Sequence, residues 1–169
     1  WDIAIIESEK LLAKTRHTTI EKLNDSEISD LTKEGLDKKR LVKTRINQNI
    51  FRTMVLATYD NSCCITGINN PELLIASHIV PWSKDEKNRL NPTNGLCLNA
   101  LHDRAFDKGL ITISAKDYTI RISSKLKIKN AVVNINLNFL KFEGMEISLP
   151  DKFLPSKEQL KKHNDYFKP

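Results

Sequence analysis

The sequence predicts an α+β domain built around one strand–loop–strand–helix unit, and three observations carry that prediction. Leu73, Leu74, Ile75, His78, Ile79 and Val80 form an apolar run of strand length, stopped by Pro81, which has no N–H to give a ladder. A polar loop with turn residues at Asn91-Pro92 and Asn94-Gly95 leads to a second short apolar run, Leu96 to Leu98. Asn99 then stands at an N-cap position before residues 100–108, which have helical propensity, and Gly109 stands where a C′ glycine belongs.

This order places His78 near the end of the first strand, Asn94 at the start of the second and His102 in the first turn of the helix. Hydrolysis of a phosphodiester needs a base for water, a cation to offset charge on the phosphate and the leaving oxygen, and something to aim both. A neutral imidazole, with an ordinary pKa of about 6.5, suits His78 to the first task. Asn94 can accept from its other ring nitrogen and fix the tautomer. His102 can hold a divalent metal through a free ring nitrogen. Each residue also has a plain structural reading: a bonded core histidine, a turn asparagine, a helix-start residue. Their joint spacing favours the chemical one.

Three pieces, ASHIVPW, NGLCL and HDRAFDKG, follow the pattern AxHIxPW, NGLxL, HDxxFDxG, and RINQNIFR and CCITGI extend it upstream. In these residues the chain resembles the HNH endonuclease family, the ββα-metal finger, over residues 40–114. The resemblance implies His78 as general base, Asn94 as its orienting residue and His102 as metal ligand. It further implies Mg²⁺ or a similar divalent ion such as Mn²⁺, DNA cleavage leaving a 5′-phosphate, and a restriction or phage-defence role. One position departs from the pattern: many such enzymes carry an acid or second histidine before the base, and this chain has Ser77. Asp103, a backbone or water ligand, or a site held mostly by water and phosphate oxygens would complete the shell, which Mg²⁺ tolerates. Asp107 lies five residues beyond His102, roughly 140° around a helix of about 100° per residue, and is expected to be structural. Trp82 and Phe106 are expected to pack the unit together.

The flanks supply binding and support. Lys38, Lys39, Arg40, Lys43, Arg45 and Arg52 form the main basic run, and Ile46 to Tyr59 carries a helical apolar stripe. Lys43, Arg45, Gln48 and Arg52 are the expected nucleic-acid contacts, the cations on phosphates, with affinity falling steeply as salt rises. The formal net charge of +6 agrees with an anionic partner. Residues 2–23 and a stretch from Ser26 suit amphipathic helices. Residues 110–114 and 118–123 alternate as a β-hairpin, and Lys125, Lys127 and Lys129 line one side of an expected extended segment. Residues 131–142 fit strand or helix equally. Met145 to Leu149 reads as a strand and Ser156 as the cap of a final helix. His17 and His163 are expected at the surface.

The three cysteines argue against a disulfide framework and for a reducing compartment. Cys64 lacks a CxxC partner, so the pattern argues against a structural zinc. No apolar run of about 20 residues predicts a membrane span, and the expected location is cytoplasmic. The expected organisation is an N-terminal helical segment, 1–36, and a nuclease domain, 37–169, whose finger core is 73–109, with flanking helices and a small antiparallel sheet. The chain begins with Trp, which leads us to expect a further module upstream. A homodimer is expected if one site per chain cuts both strands. The competing reading is a nucleic-acid-binding module of the same shape without catalysis.

Overall fold

The computed structural model describes residues 36–127 and 133–167, with side chains from Asn47 onward. The chain divides into two compact units, residues 1–50 and 51–169. The helices expected over 2–33, with His17, lie outside the described residues. Helix α1 (Leu36–Thr58) begins before the expected Ile46 and runs through that division.

Within the second unit, α1 buries Phe51, Met54, Val55 and Leu56, a helical spacing that turns one stripe to the core. Strands β1 (Leu74–His78) and β2 (Gly95–Asn99) pair antiparallel, with Leu74 opposite Asn99 and His78 opposite Gly95. Helix α2 (Ala100–Asp107) follows at once, because the Asn99 side chain accepts the His102 N–H and caps it. It ends as the sequence predicts. Gly109 takes φ +64°, its N–H bonds Phe106 O, and the Leu110 N–H bonds Ala105 O, closing the two orphan carbonyls. Phe106 is fully buried and anchors α2 to the hairpin. Trp82, by contrast, is only half-buried.

Gly95 is required by close approach, since a Cβ there would lie 2.4 Å from Val55 Cγ2 and 3.0 Å from Phe51 Cζ. Both neighbours are buried and cannot swing away. Gly95→Ala is therefore expected to cost about 1–3 kcal/mol of overpacking, read as a lower urea midpoint with unchanged slope.

The expected hairpin is present as β3 (Ile111–Ile113) and β4 (Ile120–Ile122), antiparallel, with Ile111 opposite Ile122. Helices α3 (Val133–Asn138) and α4 (Lys157–Asn164) complete the described elements, and Ser156 caps α4 by accepting the Gln159 N–H. Three local expectations fail. Ser123 caps a short 3-10 turn, Ser124–Leu126, so Lys125 does not stand on an extended segment, Lys127 pairs with Glu143, and Lys129 lies outside the described residues. Residues 145–149 make one bridge, Thr119 to Glu146, not a strand. The short strand that the sequence suggests at Cys63 to Ile65 gives way to a turn at 64–66, though the Cys64 N–H bonds Cys97 O. In each case local capping or isolated tertiary bonds satisfy backbone groups without a ladder.

His163 is the larger correction, for it is buried, not superficial. Its ring stacks on Phe106 at 3.7 Å, Nε2–H donates to the Phe106 carbonyl at 3.2 Å, and Nδ1 accepts from the Thr112 hydroxyl at 2.7 Å. Asn164 Nδ2 in turn donates to Thr112 Oγ1. Burial pushes the imidazole down to about 4. In the unfolded chain the ring takes a proton near pH 6.5, whereas in the fold it resists until about 4, so stability is complete above 6.5 and falls as pH drops. The loss by pH 4 is expected to be about 3 kcal/mol, measured by urea melts at pH 7 and pH 4, and smaller in His163→Gln.

Candidate active site

His78 ends β1, and its ring is held where the hairpin meets α1. Phe51 stacks on one face at 3.7 Å and 13°, while Trp82 meets it edge-on at 5.5 Å. His78 Nε2 lies 3.1 Å from the Arg89 carbonyl oxygen. A carbonyl can only accept, so Nε2 carries the proton and Nδ1 keeps the lone pair. Burial holds the ring below its ordinary pKa, partly offset by the Arg89 carbonyl and the charge of Asp107. The ring is therefore neutral near pH 7, with a defined tautomer.

The expected bond from Asn94 to this ring is not made. Asn94 is buried, its Oδ1 accepts from the Val80 N–H at 2.9 Å, and its Nδ2 donates to the carbonyls of Val80 and Asn88 at 3.2 and 3.3 Å. Its main-chain oxygen also receives the Ile79 N–H. Buried backbone groups beyond the strand end have no ladder partner, and Asn94 supplies one. It thus staples the end of β1 to the 81–91 loop, which carries the Arg89 carbonyl. Orientation of the His78 ring falls to that carbonyl, a partner with no side-chain signal in the sequence.

His102 also sits otherwise than expected. It is buried under α3, with Nδ1 3.0 Å from Asn99 Oδ1 and Nε2 2.8 Å from the Asn138 carbonyl. Phe139 and Phe142 flank the ring at 5.2 and 5.7 Å. Asn99 Oδ1 is fixed as the acceptor, because it also receives the His102 main-chain N–H at 3.0 Å. Neither ring nitrogen faces an open position for a metal, and burial lowers the ring's pKa.

Asp103, half-buried on the next position of α2, turns toward β1. Its carboxyl is raised by burial, lowered by the Ser77 hydroxyl and raised again by the charge of Asp107. Ser77 is buried, and its Oγ has no hydrogen-bond partner of normal geometry, although it lies near enough to influence Asp103. Asp107, expected to be structural, is exposed at the end of α2. Measured from Asp103 it is i+4, on the same helix face, and its charge reaches both Asp103 and His78. That spacing is the signal the sequence carries for it. Ser77, His78, Asp103 and Asp107 thus form one electrostatic neighbourhood, while no three His, Cys, Asp or Glu side chains among the described residues close into a metal cage.

Of the expected nucleic-acid contacts, Lys43 and Arg45 have side chains outside the described residues. Gln48 is exposed on α1. The Arg52 guanidinium is committed inside the fold, donating to the carbonyls of Leu74 at 2.6 Å and Pro71 at 2.8 Å. It secures the entry to β1, a task for which planar, multidentate arginine is suited. Cys63, Cys64 and Cys97 are buried free thiols, with Cys97 pushed up to about 12 by burial. Among the described residues, no helix is long and apolar enough to cross a membrane.

No curated protein matches this sequence. Among solved structures, a chain described as a modification-dependent TagI restriction endonuclease is similar, at 15% identity and a TM-score of 0.45. The likeness covers 69% of this chain and 37% of that one, so this chain spans little more than a third of that protein's length. The family described as HNH endonuclease matches residues 63–114, which include β1, β2, α2 and every residue of the neighbourhood around His78. The resemblance read in the sequence is thereby borne out for that segment: residues 63–114 match the HNH endonuclease family.

Proposed function

We propose that this protein is a metal-dependent DNA endonuclease, in which His78 Nδ1 takes the proton of the attacking water. The observation that carries the reading is the fixed tautomer of His78: Nε2–H is engaged by the Arg89 carbonyl, and the basic nitrogen remains. Asp103 and Asp107, four residues apart on α2, with the unpartnered Ser77 Oγ beside them, are the groups suited to a hard divalent cation. Two carboxylates and a hydroxyl leave most coordination positions to water and phosphate oxygens, as Mg²⁺ and Mn²⁺ accept. When bound, the cation supplies charge stabilisation for the phosphate and the leaving oxygen. Burial, and after it the charge of Asp107, raises the Asp103 carboxyl, as suits a half-buried carboxylate that a cation would relieve. Asn94 and Arg52 act at one remove, holding the loop and the strand that aim the base. His102, on this reading, ties α2 to α3.

The test is cleavage of supercoiled plasmid with Mg²⁺, Mn²⁺ or EDTA, comparing the parent with Asp103→Asn and Asp107→Asn. Each variant is expected to need at least roughly tenfold more metal for half-maximal cutting, while its melting temperature holds or rises as carboxylate repulsion is relieved. Variants that cut like the parent at low metal would remove these residues from the cation's shell. Cutting both strands with one site per chain calls for a second copy, which mass measurement of the DNA complex would detect. A restriction or phage-defence role in the cytoplasm rests on the sequence resemblance, and three free thiols fit a reducing compartment.

The second reading, a DNA-binding module without catalysis, is favoured by one observation, the lack of a closed metal cage among the described residues. It requires DNA affinity to be the same in EDTA as in Mg²⁺, with no cutting under any metal.

A further inference from the structure

A cleft of about 580 Å³ opens beside the candidate active site, lined by Val80, Lys84, Asp85, Lys162, Asp165 and Tyr166. Its position is fixed from both sides. Val80 lies two residues beyond His78 on the same chain segment, and the Tyr166 carbonyl would be 3.5 Å from a Cβ on Gly109, two residues beyond Asp107. The cleft thus borders the chain segments that carry the groups proposed to act on a phosphodiester.

Its chemistry is selective. Tyr166 is 58% exposed, unusual for an aromatic ring held in place. Lys84 does the holding: its ammonium donates to the Tyr166 hydroxyl at 2.8 Å and lies 4.1 Å from the ring centroid. One aspect of the ring is thus covered and the rest is offered outward. Two ammonium groups face two carboxylates in this lining, so it is balanced in charge and poorly matched to a bare phosphate. Asp85 is partly committed to the loop, accepting from the Asn88 N–H at 3.2 Å and from Asn88 Nδ2 at 2.8 Å. Lys162 pairs with Glu158 on the surface, a weak bond that leaves the ammonium free to exchange partners. A nucleobase has the complementary character, with a π-face to stack and an edge of alternating donors and acceptors. The volume also suits a small ligand of that size.

We propose that this cleft takes one nucleobase of the DNA strand flanking the bond to be cut, stacked on Tyr166, with its edge between the lysines and the aspartates. The proposal rests on the DNA substrate of the nuclease reading, and it concerns binding alone. Stacking on an aromatic ring tolerates any base and adds no counterion release, so its loss should weaken binding without altering the salt dependence.

The experiment uses the full chain carrying His78→Ala, in EDTA, so that no cutting interferes. Binding of oligonucleotide duplexes and single strands is measured with Tyr166 present, as Tyr166→Phe and as Tyr166→Ala, at several salt concentrations. Tyr166→Ala is expected to weaken binding roughly tenfold with the slope in log salt unchanged, and Tyr166→Phe to stay within about twofold of the parent. Walking a single abasic position along the strand should find one place where parent and Tyr166→Ala bind alike. A Tyr166→Ala protein that melts like the parent and binds like it, or one whose salt slope falls, overturns the proposal, as does absence of any abasic position that removes the difference. Failure of the parent to cut plasmid, with the Tyr166 effect intact, would instead count against the nuclease reading and leave the cleft's role standing.

Discussion

His78→Ala is expected to bind DNA and to cut it 10²–10⁴-fold more slowly, about the contribution of a positioned general base. Geometry comes before electrostatics in this site. The Arg89 carbonyl fixes the proton on Nε2, Phe51 stacks against the ring, and Trp82 closes its edge, so Nδ1 points with little freedom. Burial then keeps that nitrogen unprotonated at neutral pH. The base works when neutral, so kcat/KM should rise with pH through a pKa below the ordinary imidazole value and level off at neutral pH. A bound cation nearby would move the limb lower still. His78→Gln preserves much of the volume against Phe51, and its melting curve separates lost chemistry from lost packing. Parent-like cutting by His78→Ala, in protein that melts normally, would end the case for this base.

Phe106→Ala is expected to lower stability by about 3–5 kcal/mol, the cost of emptying a fully buried aromatic site. Phe106 does more than fill space. Its ring stacks on His163, its carbonyl accepts from the same histidine, and its helix carries Asp103 and Asp107. Removing the ring therefore loosens the platform of the proposed cation groups as well as the seat of α4. Urea denaturation at pH 7 measures the first effect. Metal titration of cleavage measures the second, and a variant that loses stability without a change in metal requirement would show that α2 keeps its geometry unaided. A loss below about 1 kcal/mol would mean the site collapses around the gap.

The HNH match and the fold agree with the sequence wherever the determinants are local. Asn99 caps α2, Gly109 ends it at positive φ, and β3 and β4 pair about a polar turn, because capping, backbone conformation and alternation are settled within a few residues. Asp107 is legible by the same local rules. Its angle from His102 sets it apart, whereas its angle from Asp103 puts it on the shared face.

The roles of the polar residues are settled by partners far away in the chain. Asn94 bonds Val80 and Asn88, His102 meets the Asn138 carbonyl thirty-six positions on, His163 meets Phe106 fifty-seven positions back, and Arg52 caps carbonyls at Pro71 and Leu74. Most of these bonds end on main-chain oxygens or N–H groups, which nearly every residue possesses and no sequence pattern marks. By itself the sequence determined the α+β class, the strand–loop–strand–helix order, its caps, and the presence of a histidine at the end of the first strand. Only the tertiary structure decided which imidazole keeps a free lone pair, which is shut beneath α3, and which is buried against Phe106. The physical reason is that a buried polar atom must find a partner, and which partner it finds depends on what folding brings within about 3 Å, not on what stands beside it in the chain.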